Sequence, residues 1–280
     1  MTLKTPPIIT SDTAKSILEG KTNVSLDLGL SKTTIKQTKT DYILNRIETI
    51  DKESLEKIAQ DTRSVYFVQK NIVYIAAIGG KHFYKLAKTP GAPTLEIDGI
   101  RMHRTKDTTP EKDAMDKLQA LGLHRGRVLD TCMGLGYTAI HAHMNGAEYI
   151  VSVEYEPNVI RIAQLNPWSR QLFTEESIYK LLGDSFYVVD SFPSNHFNYI
   201  LHDPPRHSSA GHLYGQKFYH KLARILKPGG RMFHYTGEPR SRYRKVNIQK
   251  GITERLSKAG FTDISYHSKV MGVTCTLDTA

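Results

Sequence analysis

The spacing of apolar and polar residues changes character part of the way along the chain. Early on the periods are short. Val24, Leu26, Leu28 and Leu30 alternate with polar residues, which is the period of a half-buried strand. Residues 33–44 continue as a more polar extended segment. Residues 51–60 read as a short helix, with Asp51 as N-cap and Leu55, Ile58 and Ala59 facing inward. Residues 64–69, 72–78, 82–86 and 94–101 are β-branched and aromatic runs. Lys70-Asn71 and Gly79-Gly80 supply turns between them, as in an antiparallel meander.

After Asp107 the pattern alternates between two periods. Thr109 places a capping hydroxyl before Pro110, a residue suited to the first helical position, and a helix over 111–121 follows. Strands are predicted at 127–131, 149–154, 180–183, 197–202 and 231–236. Helices are predicted at 137–145, 158–165, 213–226 and 248–259, with a helical turn after 183. Strands at 262–267 and 270–276 complete the series. This alternation predicts a parallel, doubly wound α/β sheet with helices on both faces. The expected organisation is a β-rich, mainly antiparallel domain over 1–106 and an α/β domain over 107–280. Ligands of such sheets bind beyond the carboxyl ends of the strands.

Composition narrows the class without identifying it. The chain has 280 residues, 39% hydrophobic and 24% charged, values that support a packed core and exclude wholesale disorder. Cys132 and Cys275 are too few for a disulfide framework or a four-thiolate zinc site, so no metal is expected. No apolar run approaches the roughly 18 residues of a membrane span, and residues 1–15 lack a signal-peptide core. The expectation is a cytoplasmic protein with no membrane partner. Lys and Arg number 38 against 28 Asp and Glu, a net charge of +10. Such a surplus favours polyanions such as RNA or DNA without demonstrating one.

The most informative stretch is Val128-Leu129-Asp130-Thr131-Cys132-Met133-Gly134-Leu135-Gly136-Tyr137. It reads as strand, glycine turn, helix, and Gly134 and Gly136 allow the backbone to approach a ligand closely. As a G-x-G-x-x-A pattern it fits a dinucleotide site only weakly. Asp130 argues against that ligand, because a carboxylate at the strand tip repels a pyrophosphate. It attracts an ammonium or a sulfonium, and S-adenosylmethionine carries both and no phosphate.

This loop resembles motif I of the class I S-adenosylmethionine-dependent methyltransferases, with Cys132 where the first glycine of that motif usually stands. The resemblance covers about 112–276 and implies a Rossmann-like methyltransferase sheet. It also implies S-adenosylmethionine as cofactor and S-adenosylhomocysteine as product. Glu154, at the end of the next strand, is placed to accept the ribose hydroxyls, and Tyr155 to pack on the adenine. Asp184, with Ser185 beside it, stands where similar enzymes bind the adenine amino group. Asp184 equally suits a helix N-cap.

His202-Asp203-Pro204-Pro205-Arg206 resembles motif IV of methyltransferases that act on nitrogen. Asp203 and the Pro204 carbonyl can each accept an N–H, aiming the lone pair at the methyl group. Pro204 and Pro205 stiffen the turn. Catalysis is then mainly proximity and orientation. Arg206 departs from the usual aromatic; a guanidinium can stack on a base or bind phosphate. His202 and His207 flank the motif and read more readily as structural or solvated histidines than as proton acceptors.

A second resemblance competes. Asp203-Pro204 with Leu213, Tyr214, Phe218, Tyr219 and the Leu226–Gly230 turn is similar to spermidine synthases, which move an aminopropyl group. Their G-G-G-x-G loop is absent here, and the spacing from the aspartate to the leucine is longer. Arg240, Arg242, Tyr243 and Arg244 form a basic stretch with one aromatic, suited to phosphates and a stacked base. Trp168 reads as a packing anchor or a substrate platform.

These residues predict a methyltransferase acting on a nitrogen of a nucleic-acid base, with tRNA or rRNA favoured as partner. Catalysis falls to Asp203, Pro204 and Pro205. Asp130, Cys132, Gly134, Gly136, Glu154, Tyr155, Asp184 and Ser185 fall to the cofactor. Arg206, Arg240, Arg242, Tyr243 and Arg244 fall to the substrate. The assembled motifs look most like an uncharacterised group of archaeal predicted methyltransferases, which brings no substrate with it. The alternatives are a spermidine-synthase-like aminopropyltransferase acting on a polyamine and a non-catalytic S-adenosylmethionine-binding protein. The N-terminal domain is left to substrate selection or to forming a homodimer.

Overall fold

The computed structural model describes residues 6–205, 210–237 and 248–279. The chain forms two compact units. The first comprises Met1–Glu111 with Asn158–Gln171, and the second Lys112–Pro157 with Leu172–Ala280.

The first unit is built from short antiparallel strands. Ile8–Ile9, Tyr66–Gln69 and Ile72–Ile75 form one sheet, and Ile100–Arg101, Thr94–Ile97, Tyr84–Ala87 and Ala77–Ile78 form another. Helices Ser11–Leu18 and Lys52–Gln60 pack on each other, and Ile9, Ala14, Ile17, Leu44, Leu55, Ile58 and Val68 share one buried cluster. Asp51 caps the second helix by accepting the Ser54 amide at 2.7 Å, as the sequence predicts.

Two expectations for this unit are corrected. The strand predicted from Val24 to Leu30 stops at Val24. Asp27 accepts the Ser31 amide at 2.9 Å, the Ser25 hydroxyl accepts the Gly29 amide at 2.7 Å, and Leu28 and Gly29 adopt positive φ. Local side-chain bonds of this kind compete with a strand ladder. The helix Ser11–Leu18 was not predicted. Its buried positions are Ser11, Ala14 and Ile17, too sparse a stripe among polar neighbours to announce a helix.

The second unit is a seven-stranded sheet. Its strands are β1 (Gly126–Asp130), β2 (Ala147–Glu154), β3 (Ile178–Leu182), β4 (Phe197–His202), β5 (Leu226–Tyr235), β6 (Phe261–His267) and β7 (Gly272–Leu277). The order across the sheet is β3-β2-β1-β4-β5-β7-β6. The first five run parallel, while β7 pairs antiparallel with both β5 and β6. The principal helices in chain order are α1 (Pro110–Leu121), α2 (Tyr137–Met144), α3 (Pro157–Leu165), α4 (Gln216–Ile225) and α5 (Ile248–Lys258), of which α3 falls almost wholly in the first unit. This is the Rossmann-like arrangement shared by methyltransferases and spermidine synthases, joined to an N-terminal set of antiparallel strands.

The core places Leu129, Val151, Val153, Ile200, Phe218, Leu222, Met232, Leu256 and Val273 in one cluster, drawn from both the sheet and its helices. The single helix predicted over 213–226 is instead a 3₁₀ turn, Gly211–Tyr214, followed by α4, with Gly215 in an extended conformation between them. Among the described residues no helix is long and apolar enough to cross a membrane.

Candidate active site

Strand order reverses between β1 and β4, and the crevice beyond their carboxyl ends is where such sheets bind ligands. β1 delivers Asp130 there, β2 delivers Glu154, and the chain leaving β4 delivers Asp203.

The loop after β1 turns on glycine. Gly134 has φ 54 and Gly136 φ 78, in the left-handed region that L side chains avoid. A Cβ on Gly136 would stand 2.6 Å from Leu172 Cδ2, so there is no space for a larger residue. Glu154 ties this loop down. Its Oε2 accepts the Gly134 amide at 3.0 Å and its Oε1 the Glu156 amide at 2.9 Å. Burial pushes its carboxyl up to about 7 despite those bonds, with Asp130 adding to the rise. An ionised carboxylate has about four acceptor positions. Glu154 therefore keeps capacity for ligand hydroxyls.

Asp130 works from behind the loop. Its side chain is fully buried and accepts the Ser152 hydroxyl at 2.8 Å, the Thr138 hydroxyl at 3.1 Å and the Cys132 amide at 3.4 Å. Burial is the main cause that pushes it up to about 6. What Asp130 offers a ligand is therefore charge and loop shape. Cys132 has its thiol raised well above the ordinary value by burial, with Glu154, Asp130 and Asp203 adding to the effect.

Asp184 is the N-cap of the short helix Ser185–Val188, accepting the Phe186 amide at 2.9 Å. It also faces His212, whose Nε2 lies 3.2 Å from Oδ2. Ser185 turns its hydroxyl into the Thr131 carbonyl. Tyr155 is 73% exposed at the end of β2. Tyr155, Asp184 and the glycine loop thus stand along neighbouring strand tips, as an adenosyl ligand requires. A loop that excludes a Cβ and a carboxylate with spare acceptor positions both fit that group.

Asp203 is held by a residue the sequence reading did not single out. Lys117 of α1 is buried, and its Nζ lies 2.6 Å from Asp203 Oδ2 and 2.7 Å from Asp113 Oδ2. Burial alone lowers an ammonium, but Asp203 and Asp113 outweigh it and hold Lys117 above its ordinary value. A signal for this cluster was present. Asp113 and Lys117 share the buried face of α1 with Ala114, Leu118 and Leu121, and charges on an apolar helical stripe require partners.

The proline turn is clamped from the Gly211–Tyr214 segment. The Tyr214 hydroxyl donates to the Pro205 carbonyl at 3.0 Å and lies 3.5 Å from that of Pro204. His202 and His234 form a fully buried layer at the ends of β4 and β5. His202 Nε2 donates to the Leu213 carbonyl at 3.0 Å, and its Nδ1 faces the Thr131 hydroxyl at 2.8 Å. His234 Nδ1 donates to the His202 carbonyl at 3.3 Å, and its Nε2 accepts from Tyr219 at 2.8 Å. These histidines are scaffold.

The substrate residues Arg206, Arg240, Arg242, Tyr243 and Arg244, with His207, lie outside the described residues. Trp168 belongs to the first unit, where its indole donates to the Leu28 carbonyl at 3.1 Å, as a packing anchor does.

No family model matches the sequence. An uncharacterized protein of Methanocaldococcus jannaschii is 44% identical over 275 residues, covering 95% of this chain and 93% of that protein. Polyamine aminopropyltransferase 2 of Streptomyces coelicolor is 28% identical over 179 residues, covering 61% of this chain and 32% of its own length. Among solved structures, a spermidine synthase in complex with the transition-state analogue AdoDATO aligns at TM-score 0.57 and 19% identity, over 75% of this chain and 78% of that one. The spermidine synthase of Thermotoga maritima aligns at TM-score 0.56 and 17% identity, over 75% and 77%.

Proposed function

The chain belongs to the family of the uncharacterized Methanocaldococcus jannaschii protein, and we propose that it is a transferase that alkylates an amine nitrogen from an adenosylated sulfonium donor, in the aminopropyl form with a polyamine as acceptor. The observation that carries this reading is the charge of the crevice. Asp130, Glu154 and Asp203 act on one another or on the Cys132 thiol between them, and Asp113 stands behind Asp203. Lys117 bridges Asp113 and Asp203, one positive charge against two carboxylates.

Carboxylates gathered at the described part of the crevice favour cations over polyanions at the reacting centre. Decarboxylated S-adenosylmethionine is a cation throughout, and so is a polyamine. An RNA base brings its phosphates to the same edge. The relatives with an activity in their names, a polyamine aminopropyltransferase and spermidine synthases, support the aminopropyl form over base methylation. The arginines on which the nucleic-acid expectation rested lie outside the described residues and carry no weight for either acceptor.

In this reading Glu154 receives the ribose hydroxyls and Asp184 the adenine amine. The donor supplies an electrophilic carbon beside its sulfonium. Asp203 accepts an N–H of the acceptor and aims the nitrogen lone pair at that carbon. The clamp from Tyr214 and the two prolines keeps the turn from relaxing. Placing the reacting atoms in line contributes most of the acceleration.

The test is a side-by-side assay of S-adenosylmethionine and its decarboxylated form against putrescine, spermidine and total RNA. Aminopropyl transfer to the amines is the expected result. Methyl transfer to RNA with no aminopropyl transfer overturns the reading and restores the base methylation that the sequence motifs suggest.

A further inference from the structure

We infer that Lys117 is a positioning residue of the acceptor site, which fixes Asp203 by one carboxylate oxygen and offsets that carboxylate's preference for a protonated amine, so that the free base is more available than it would be without the lysine. The inference rests on the amine-alkylation reading. It starts from the bridge Asp113–Lys117–Asp203, in which both contacts are 2.6–2.7 Å.

The lysine side chain is 7% exposed and that of Asp203 25%. Lys117 closes the Oδ2 side of Asp203, and among the described residues none hydrogen-bonds Oδ1, the oxygen an acceptor would use. An N–H bound at Oδ1 then lies within about 6 Å of the lysine ammonium, given ordinary hydrogen-bond lengths. A positive charge at that range in a partly buried site disfavours a second one. The amine is thereby shifted toward its free base where it must react.

The chemistry requires that form. The nitrogen lone pair forms the new C–N bond while the C–S bond breaks, its electron pair staying on sulfur. The sulfonium becomes a neutral thioether, and the nitrogen, now an ammonium, releases its proton to solvent. A protonated amine has no pair to give.

The groups that face Lys117 come from three elements. Asp113 lies on its own helix, Asp203 on the turn after β4, and the Tyr235 ring at the end of β5 stands 5.3 Å from Nζ. Asp130 and Tyr214 interact electrostatically with Asp203 from the β1 tip and the Gly211–Tyr214 turn. A buried ion pair is weak evidence for stability, since apolar side chains of similar volume often do as well. Its position at the acceptor turn is what gives this one a role.

The experiment compares wild type with Lys117→Met, Lys117→Arg and Asp113→Asn as full-length proteins. Transfer from decarboxylated S-adenosylmethionine to putrescine or spermidine is followed as a function of pH, with donor affinity by calorimetry as control. Lys117→Met should move the acid limb of kcat, which reports the bound complex, about one pH unit toward alkaline, with about a tenfold loss at neutral pH that recovers as pH rises. Lys117→Arg should restore the wild-type limb. Asp113→Asn keeps the lysine and removes its second carboxylate, so it should move the limb toward acid. That variant also supplies the test if Lys117→Met does not fold. Limbs that stay in place, with a loss uniform across pH, overturn the inference and leave amine alkylation standing. A wild type that alkylates no amine overturns both.

Discussion

The imidazoles of His202 and His234 lie 4.4 Å apart, ring centre to ring centre, with neither reaching solvent. Burial pushes His202 down to about 3 and His234 well below its ordinary value. Their hydrogen bonds require opposite tautomers, with the proton on Nε2 in His202 and on Nδ1 in His234.

Both rings should therefore remain neutral where free histidine titrates. Nitrogen NMR of the labelled protein should show the two fixed tautomers unchanged from pH 8 to pH 5. A midpoint near 6.5 for either ring would contradict the packing described. Because the folded values are depressed, the stability tied to this neutral pair is complete above the unfolded value of about 6.5. It is lost as pH falls toward the folded values, where the unfolded chain binds more protons.

Glu154 and Asp130 carry the opposite sign. Their carboxyls are raised in the folded, ligand-free protein, so their contribution to stability is complete below the unfolded values and falls as pH rises through about 6 to 7. A cationic donor with hydroxyls favours the ionised forms. Donor affinity should thus rise with pH through that window and level off above it. Calorimetry in buffers of different ionisation enthalpy should detect proton release. In Glu154→Gln the pH slope should flatten and affinity should drop by about 1.5–3 kcal/mol, the scale of hydrogen bonds to a charged group.

Asp203→Asn should separate binding from transfer. Its carboxylate aims the acceptor, so donor affinity should stay near wild type while kcat falls by about 100-fold or more, the penalty for small misplacements of reacting groups. Full activity would reduce the Asp203-Pro204-Pro205 turn to a structural corner.

Gly136→Ala tests the loop itself. A left-handed conformation costs an L residue about 1–2 kcal/mol, and the new Cβ would also press on Leu172. Thermal unfolding should show a loss of at least that size, together with weaker donor binding. An unchanged melting temperature would mean that the loop adapts.

Much of the second unit was legible because strand and helix periods there are long and uninterrupted; β4 falls on the predicted 197–202. The glycine loop, Glu154 and Asp203 were legible for a related reason, since each sits where a strand ends and the backbone must turn. Lys117 was not, because nothing local ties a helix residue to an aspartate so far along the chain. The first unit was read less well. Its strands span only two to four residues, and side-chain turns such as Ser25–Asp27 override alternation. The preferred substrate rested on the surplus of +10, which is a property of the whole chain and says nothing of the charge at one strand edge.

The return of Asn158–Gln171 to the first unit has a consequence for how the protein is made. Trp168, which anchors to Leu28, lies on that excursion. During synthesis the N-terminal strands emerge first, yet their unit cannot be completed until the ribosome has passed Gln171. By then β1 and β2 of the second sheet have already been translated. Neither unit is therefore a finished folding module when the other begins. A fragment ending at Glu111 should leave the Leu28 carbonyl without its indole, so cutting the chain at the apparent domain boundary should yield a poorer fold than its length suggests.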